Sequence, residues 1–413
     1  MGPIQYRVVV GDNEDPPSQD ELAGWVKEEL EQVNELMSTY RDDSDVTRFN
    51  RSESIEWFPV HALTARVVKH ANEISELTEG AFDITVAPAV NLWNFGSEEN
   101  GSDLPSDQQI SEVRAIVGYT MLDVREEPPA LKKEKPGVQI DLSAIAKGFA
   151  VDQVAERLDR GGLRNYMVEV GGEVRTNGFN PQGGPWRIGV EKPTADVREV
   201  LIVAAMENDS LATSGDYRNF RVMNGEKYTH TIDPRTCRPV RYGLASASLL
   251  QTNQNTDGCM TADALATALM VIGSGETWDA EAVKKRCLTF CKDHKANGFF
   301  VLQKNSVPAN EKARWETFST VAFPVATEDP SLVVSEPQGQ RSIWPAFFGA
   351  VLLFGLAIAA MAVGAIFANK PITGSCGGIA VKPGEDGGSA CSLCSKPVSE
   401  CPEQGDTGES ASV

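Results

Sequence analysis

Cys259-Met-Thr-Ala-Asp-Ala-Leu-Ala-Thr-Ala-Leu-Met270 is the stretch around which the rest of the chain is organised. Ala, Leu and Met are strong helix formers, and Thr261 is a reasonable N-cap for the helix they predict. On such a helix Asp263 and Thr267 stand four residues apart, about 40° from one another around the axis, so both project from one face. A carboxylate and a hydroxyl on an otherwise apolar helix are the oxygen ligands that a hard cation such as Mg²⁺ takes. The plain alternative has Thr267 bonded back to a helix carbonyl and Asp263 at a helix start, where its charge is favoured. The upstream sequence decides between them.

The chain has 413 residues, 41% of them hydrophobic, as in an ordinary globular protein longer than one typical domain. Its net charge of −20 argues against a nucleic-acid partner and against electrostatic adhesion to anionic lipid. The same charge repels a bare polyphosphate, so a nucleotide site here needs a metal or local basic groups. No secretory signal comes before the strand-like Tyr6-Arg-Val-Val-Val10, which predicts either a cytosolic N-terminus or a leader upstream of this sequence. Of eight cysteines, four lie between Cys237 and Cys291 and four crowd the last 38 residues, a clustering that points to a separate tail function rather than a disulfide framework.

Residues 1–326 read as one large mixed domain. Residues 20–38 carry helical periodicity through Leu22, Val26, Leu30, Val33 and Met37, and a second helix is expected over 64–78, ending at Gly80. Val138-Gln-Ile-Asp-Leu142 reads as a strand feeding Ser143-Ala-Ile-Ala-Lys-Gly148, with a helix onward to Arg160 closed by Gly161-Gly162. Residues 166–170, 200–205 and 246–251 read as strands. Strands interleaved with long helices indicate an α+β fold, a single large mixed α/β domain.

A polar, Pro-containing linker spans residues 327–342. Residues 343–368 then run 26 positions without a charge. At 1.5 Å per residue that is about 39 Å, enough to cross a bilayer core of roughly 30 Å with tilt, and it predicts one transmembrane helix. The tail, 369–413, holds Cys376, the pair Cys391 and Cys394, and Cys401 in a Gly-, Ser- and Pro-rich setting. Such a segment buries too little apolar surface to fold alone, so a metal is a reasonable organiser, and thiolates select Zn²⁺, Cu(I) or iron. The plain alternative is a reduced or redox-active tail.

Three further stretches carry chemistry. Asp141 stands at the end of the expected strand and Lys147 at a helix start, where free N–H groups receive phosphate; the plain reading is a strand-to-helix turn capped by Ser143. Leu211-Ala-Thr-Ser-Gly-Asp-Tyr-Arg-Asn-Phe220 is a polar loop with several donors. His230, one of four histidines, lies between Thr229 and Thr231 and close to Asp233, a setting for a general base or for a plain surface histidine.

Taken together these segments resemble the ApbE-type flavin transferases, which move FMN from FAD onto a protein threonine and release AMP. The resemblance covers most of residues 1–325. It rests on the Met-Gly opening and, in family order, MSTY at 37–40, SDVTRFN at 44–50, GAFDITVAP at 80–88, NLWNFG at 91–96, DLSAIAKG at 141–148, VEVGGEVR at 168–175, ATSGDYRNF at 212–220, HTIDP at 230–234 and TADALATA at 261–268. The resemblance implies a Mg²⁺ site on Asp263, Thr267 and the backbone carbonyl of Ala144. It implies FAD contacts at Met1, Tyr40, Ala81, Phe82, Asp83, Asp141, Lys147 and Val240, and His230 as the base for the acceptor threonine. Cys237 stands where the family usually has Gly.

The tail resembles the small NqrM maturation factors of the Na⁺-translocating NADH:quinone reductase, which carry one transmembrane helix followed by GSCGG and further cysteines, as at 374–378 and 391–401. That resemblance implies iron delivery, with Cys376, Cys391, Cys394 and Cys401 as candidate iron or zinc ligands. It also implies reductase subunits as acceptors of FMN. The expected protein is a single-pass inner-membrane enzyme with a periplasmic catalytic domain and a cytoplasmic tail. An FAD-binding scaffold and an FAD pyrophosphatase are the alternatives, and AMP release with and without acceptor separates them.

Overall fold

The computed structural model describes residues 4–14, 16–96, 104–194, 199–252, 256–303 and 315–326, and two short strands near the C-terminus. Met1, the linker 327–342, the expected membrane span 343–368 and the four tail cysteines lie outside the described residues. Among the described residues no helix is long and apolar enough to cross a membrane. The chain divides into a unit of residues 1–334 and one of residues 335–413. In the second unit the described residues are Lys382–Pro383 and Ser389–Ala390, which pair antiparallel.

In the first unit the order is β1 (Tyr6–Val10), α1 (Gln19–Met37), α2 (Asp45–Arg51), β2 (Phe58–Pro59), α3 (Ala62–Leu77), a 3₁₀ turn (Ile84–Val86), α4 (Ala87–Leu92) and α5 (Asp107–Arg114). There follow β3 (Leu122–Glu126), β4 (Pro129–Lys133), α6 (Ala146–Arg160), β5 (Tyr166–Val170), β6 (Glu173–Asn177), β7 (Trp186–Glu191), β8 (Val200–Met206) and β9 (Asp209–Gly215). The last part holds β10 (Phe220–Met223), β11 (Glu226–Thr229), β12 (Ile232–Asp233), β13 (Arg238–Pro239), β14 (Leu244–Thr252), α7 (Gly258–Ile272), α8 (Ala280–Asp293), β15 (Asn297–Gln303) and β16 (Trp315–Ser319).

The frame is a seven-stranded sheet in the order β1-β5-β6-β9-β14-β15-β16, antiparallel at every joint. Alternation along a strand sends neighbouring side chains to opposite faces. In β15 Phe300 and Leu302 therefore join the main core, whereas Phe299 and Val301 pack with Trp186, Ile188 and Met206 of the β7–β8 ribbon. On the first face lie α6, against β5 and β6, and α7, against β9, β14 and α6. A helix buried on nearly all sides reads as apolar all round, which is why α7 shows so little amphipathic patterning.

Three local expectations are corrected. Residues 138–142 are extended but belong to no sheet. The Asn50 side chain pairs with both backbone groups of Ile140, at 2.8 Å each, and the Asp141 N–H donates to the Ile84 carbonyl at 2.8 Å. Val138, Ile140 and Leu142 alternate with polar residues because all three are fully buried, a pattern that an extended segment clasped by a side-chain amide shares with a true strand. The second correction is that α7 begins at Gly258, with Asp257 at the N-cap position, not at Thr261. Thr261 lies inside the helix, donating to the Asp257 carbonyl at 2.7 Å and meeting His70 Nε2 at 2.9 Å. The third is that Ser143 does not cap α6. Its hydroxyl donates to Asp141, and the N-cap position falls on Ile145.

Candidate active site

The site is built where α6 and α7 start, and it depends on how near the two helices come. A Cβ at Gly148 would stand 2.3 Å from the Cys259 carbonyl oxygen and 2.8 Å from Met260 Cα, so only glycine permits this approach. Each helix then caps the other. Asp263 of α7 accepts from the Gly148 N–H at 3.0 Å, and Asp152 of α6 accepts from the Cys259 and Met260 N–H groups at 3.2 and 2.8 Å. These N–H groups belong to first helical turns and have no intrahelical partner. Asp152 is fully buried and is also held by Arg175 Nη1 at 2.6 Å.

Asp263 is 2% exposed, and its oxygens accept from Lys147 Nζ at 3.0 and 3.2 Å. Because the Gly148 N–H goes to Asp263, it is not spent on the carbonyl four residues back, that of Ala144. Thr267 lies one turn further along α7, half-buried, with its hydroxyl 2.9 Å from that of Ser214. It does not bond back to its own helix, so the plain reading fails for Thr267, whereas Asp263 does lie at a helix start, that of α6. Among the described residues no cluster of three or more His, Cys, Asp or Glu side chains could hold a metal. One carboxylate, one spared carbonyl and one hydroxyl nevertheless fit Mg²⁺, which keeps waters and takes phosphate oxygens rather than an all-protein cage.

Lys147 also meets Glu173 Oε1 at 3.1 Å. Burial pulls the ammonium pKa down, but Asp263 and then Glu173 outweigh it and hold Lys147 charged, above its usual value. Burial pushes Glu173 up to about 8, against the pull of Lys147.

His230 follows β11. Its backbone N–H and its ring Nδ1 both meet the Asn219 carbonyl, at 3.2 and 3.0 Å. A carbonyl only accepts, so Nδ1 carries the proton and Nε2 keeps its lone pair. Burial lowers the His230 pKa; the Asn219 bond opposes that and the Lys147 charge adds to it. The NLWNFG segment supports this corner. Phe95 sets its ring edge-on to His230 at 6.4 Å, Trp93 stacks on Tyr228 at 5.4 Å, and Trp93 Nε1 donates to the Cys237 carbonyl at 2.9 Å. Cys237, fully buried, takes φ +54, the left-handed region that favours glycine.

The other expected contacts divide. Ala81 and Val240 come together with Val271 in one apolar cluster. Val240 also lines a cavity of about 240 Å³ with Asp216, Lys227, Arg241 and Met270. Phe82 belongs to the main core. Asp83 is 5% exposed and serves its own loop, accepting from the Thr85 N–H and hydroxyl at 2.7 and 2.6 Å and from the Tyr119 N–H at 2.6 Å. Asp141 holds Ser143. Tyr40 is 69% exposed, and no hydrogen bond joins its side chain to the other candidates. Sequence reasoning missed Glu173, Asp152, Gly148 and Ser214 as parts of the site. All but Asp152 sit inside the motifs quoted above, but spacing alone does not show which elements meet.

Residues 3–286 match the ApbE family. The chain is 48% identical over 244 residues to the FAD:protein FMN transferase of Vibrio cholerae, covering 59% of this chain and 71% of that protein. It is 42% identical over 274 residues to the FAD:protein FMN transferase of Haemophilus influenzae, covering 65% and 78%. Among solved structures, the flavin transferase ApbE from Vibrio cholerae matches with a TM-score of 0.63 at 35% identity, over 78% of this chain and 99% of that one. The apo flavinyl transferase ApbE of Pseudomonas stutzeri matches with a TM-score of 0.64 at 32% identity, over 76% and 91%.

Proposed function

The chain belongs to the ApbE family, and on that footing we propose that it is a Mg²⁺-dependent FAD:protein FMN transferase acting on a threonine hydroxyl. The observation that carries this reading is Asp263, a buried carboxylate seated on the first turn of α6 with Lys147 beside it and the Ala144 carbonyl spared. A pyrophosphate laid there meets the α6 N-terminus and one lysine, in a chain otherwise too acidic to attract it. Mg²⁺ on Asp263, Thr267 and the Ala144 carbonyl supplies neutralisation of the pyrophosphate charge. Ala81 and Val240 offer an apolar wall to a flat ring of FAD, and Tyr40, Phe82, Asp83 and Asp141 belong to the same binding reading.

His230 Nε2 takes the proton as the threonine oxygen attacks the phosphorus on the riboflavin side. The P–O bond to the AMP half breaks, and AMP leaves with its phosphate. In-line attack of this kind needs positioning and charge neutralisation more than covalent help from the protein. The test is incubation with FAD, Mg²⁺ and a threonine-bearing subunit of a Na⁺-translocating NADH:quinone reductase. One AMP per acceptor-bound flavin supports transfer. AMP and free FMN without acceptor mark a pyrophosphatase, and bound FAD without AMP marks a scaffold.

The same proposal includes a single membrane span at 343–368, with the catalytic domain outside the cytoplasm and the cysteine tail inside, serving iron insertion. The flanks support it: within twenty residues of the span Arg341 stands alone on the N-terminal side, against Lys370 and Lys382 on the other. A thiolate tail handling iron also needs a reducing compartment. Ready labelling of Cys391 or Cys394 in intact cells by a membrane-impermeant thiol reagent overturns this orientation.

A further inference from the structure

One ammonium serves two buried carboxylates at the start of α6. Lys147 Nζ stands 3.0 and 3.2 Å from the Asp263 oxygens and 3.1 Å from Glu173 Oε1. An ammonium has three donors, and three oxygens surround this one. Glu173 is 2% exposed, and its second oxygen, Oε2, is buried with no hydrogen-bond partner. A buried carboxylate oxygen without a donor is costly and marks a place where another arrangement is expected.

The backbone places Glu173 deliberately. It opens β6 directly after the two-residue turn Gly171-Gly172, with Val170 and Glu173 as the closing pair of the hairpin. Both glycines have positive φ, +65 and +105, as a tight hairpin turn between twisted strands requires. A Cβ on Gly171 would lie 3.3 Å from Lys147 Cδ and 3.5 Å from Glu173 Oε2. The turn therefore leaves clear the space through which the lysine stem reaches the glutamate.

We propose that Glu173 is the positioning residue for Lys147: it receives the ammonium, through its unpartnered Oε2, when a divalent cation takes Asp263. The inference rests on Asp263 as a cation ligand and adds the seat to which the resident cation withdraws. With Glu173 present, the ammonium has a second buried carboxyl group to turn to as the metal enters. Without it, Lys147 and Asp263 cancel, and an entering cation meets a lysine with no other carboxylate to turn to.

The test uses FAD-free full-length protein and Mg²⁺ alone, read as the Mg²⁺-dependent rise in Tm and by calorimetry. E173Q keeps the shape and removes the charge, and is expected to weaken Mg²⁺ binding roughly tenfold or more, as for other groups that orient a metal's surroundings. K147M removes the competing ammonium and is expected to tighten Mg²⁺ binding. On the K147M background E173Q is expected to cost much less than in the wild type, because its action runs through the lysine. An equal penalty in both backgrounds, or no penalty in either, overturns the proposal. Should E173Q fail to fold, weaker Mg²⁺ binding by K147M overturns it alone. A wild-type protein with no Mg²⁺ response instead overturns the assignment of Asp263 as ligand.

Discussion

Asp263 caps α6 and, in the proposed reading, also holds the cation, and substitutions separate the two roles. Asp263→Ala removes the proposed cation ligand, leaves the Gly148 N–H uncapped and leaves Lys147 to Glu173 alone, so about 1–3 kcal/mol of stability should go with the activity. Asp263→Asn keeps an acceptor for the Gly148 N–H and should recover much of the stability but not the transfer rate. Denaturant melts beside flavin-transfer assays check the pair, and two variants equal in stability would contradict the capping role. For His230 the sign follows from burial. Its pKa lies below 6.5, so Nε2 is unprotonated at neutral pH, and transfer should decline only as pH falls through that lowered value. The acid limb of kcat/KM therefore has its midpoint below that of an ordinary histidine. His230→Ala should bind FAD, lose about 10²–10⁴-fold in rate and lose that limb. Weakened FAD binding with an intact maximal rate would make His230 a binding residue instead.

At the scale of elements, the site is the meeting of two helix starts, each capped from the body of the other. Breaking the cap that carries no chemistry tests the arrangement. Asp152→Ala leaves a buried Arg175 without its carboxylate and two N–H groups of α7 uncapped, which should cost about 3–5 kcal/mol. Chemical denaturation reads the loss, and a change below 1 kcal/mol would show that the cap is dispensable. Gly148→Ala forces α6 and α7 apart by the bulk of one methyl group, a strain of about 1–3 kcal/mol. Because the Gly148 N–H and Lys147 move with α6, the variant should also raise the Mg²⁺ concentration needed for transfer. A variant that loses stability but keeps its Mg²⁺ dependence would show that the site tolerates the shift.

The first unit sets the site on one face of its seven-stranded sheet. Residues on one face of the seven-stranded sheet hold α6 and α7, and the β7–β8 ribbon closes the other. Every described candidate residue falls within residues 1–334. The chain cut after Val334 is therefore expected to fold and to transfer FMN to a soluble acceptor at the full chain's rate. Thermal melting and the transfer assay check this, and an inactive but folded fragment would assign part of the catalytic machinery to the C-terminal unit.

The sequence by itself determined the elements that rest on local chemistry. The capping Ser18, the helical spacing that continues to Met37, and the Tyr- and Val-rich runs Tyr6–Val10 and Tyr166–Val170 are all encoded within a few residues. It also determined the family, because nine quoted motifs in one order after the Met-Gly opening are far more specific than any one of them. Periodicity records burial but not the partner, so residues 138–142 read as a strand although Asn50, ninety positions away, supplies their hydrogen bonds. The start of α7 was missed for the same reason, since its cap is Asp152, more than a hundred residues upstream. Only the tertiary structure decided that Lys147 lies between Asp263 and Glu173. That contact joins a helix start, a second helix and a hairpin turn, and no local pattern carries the position of three elements at once.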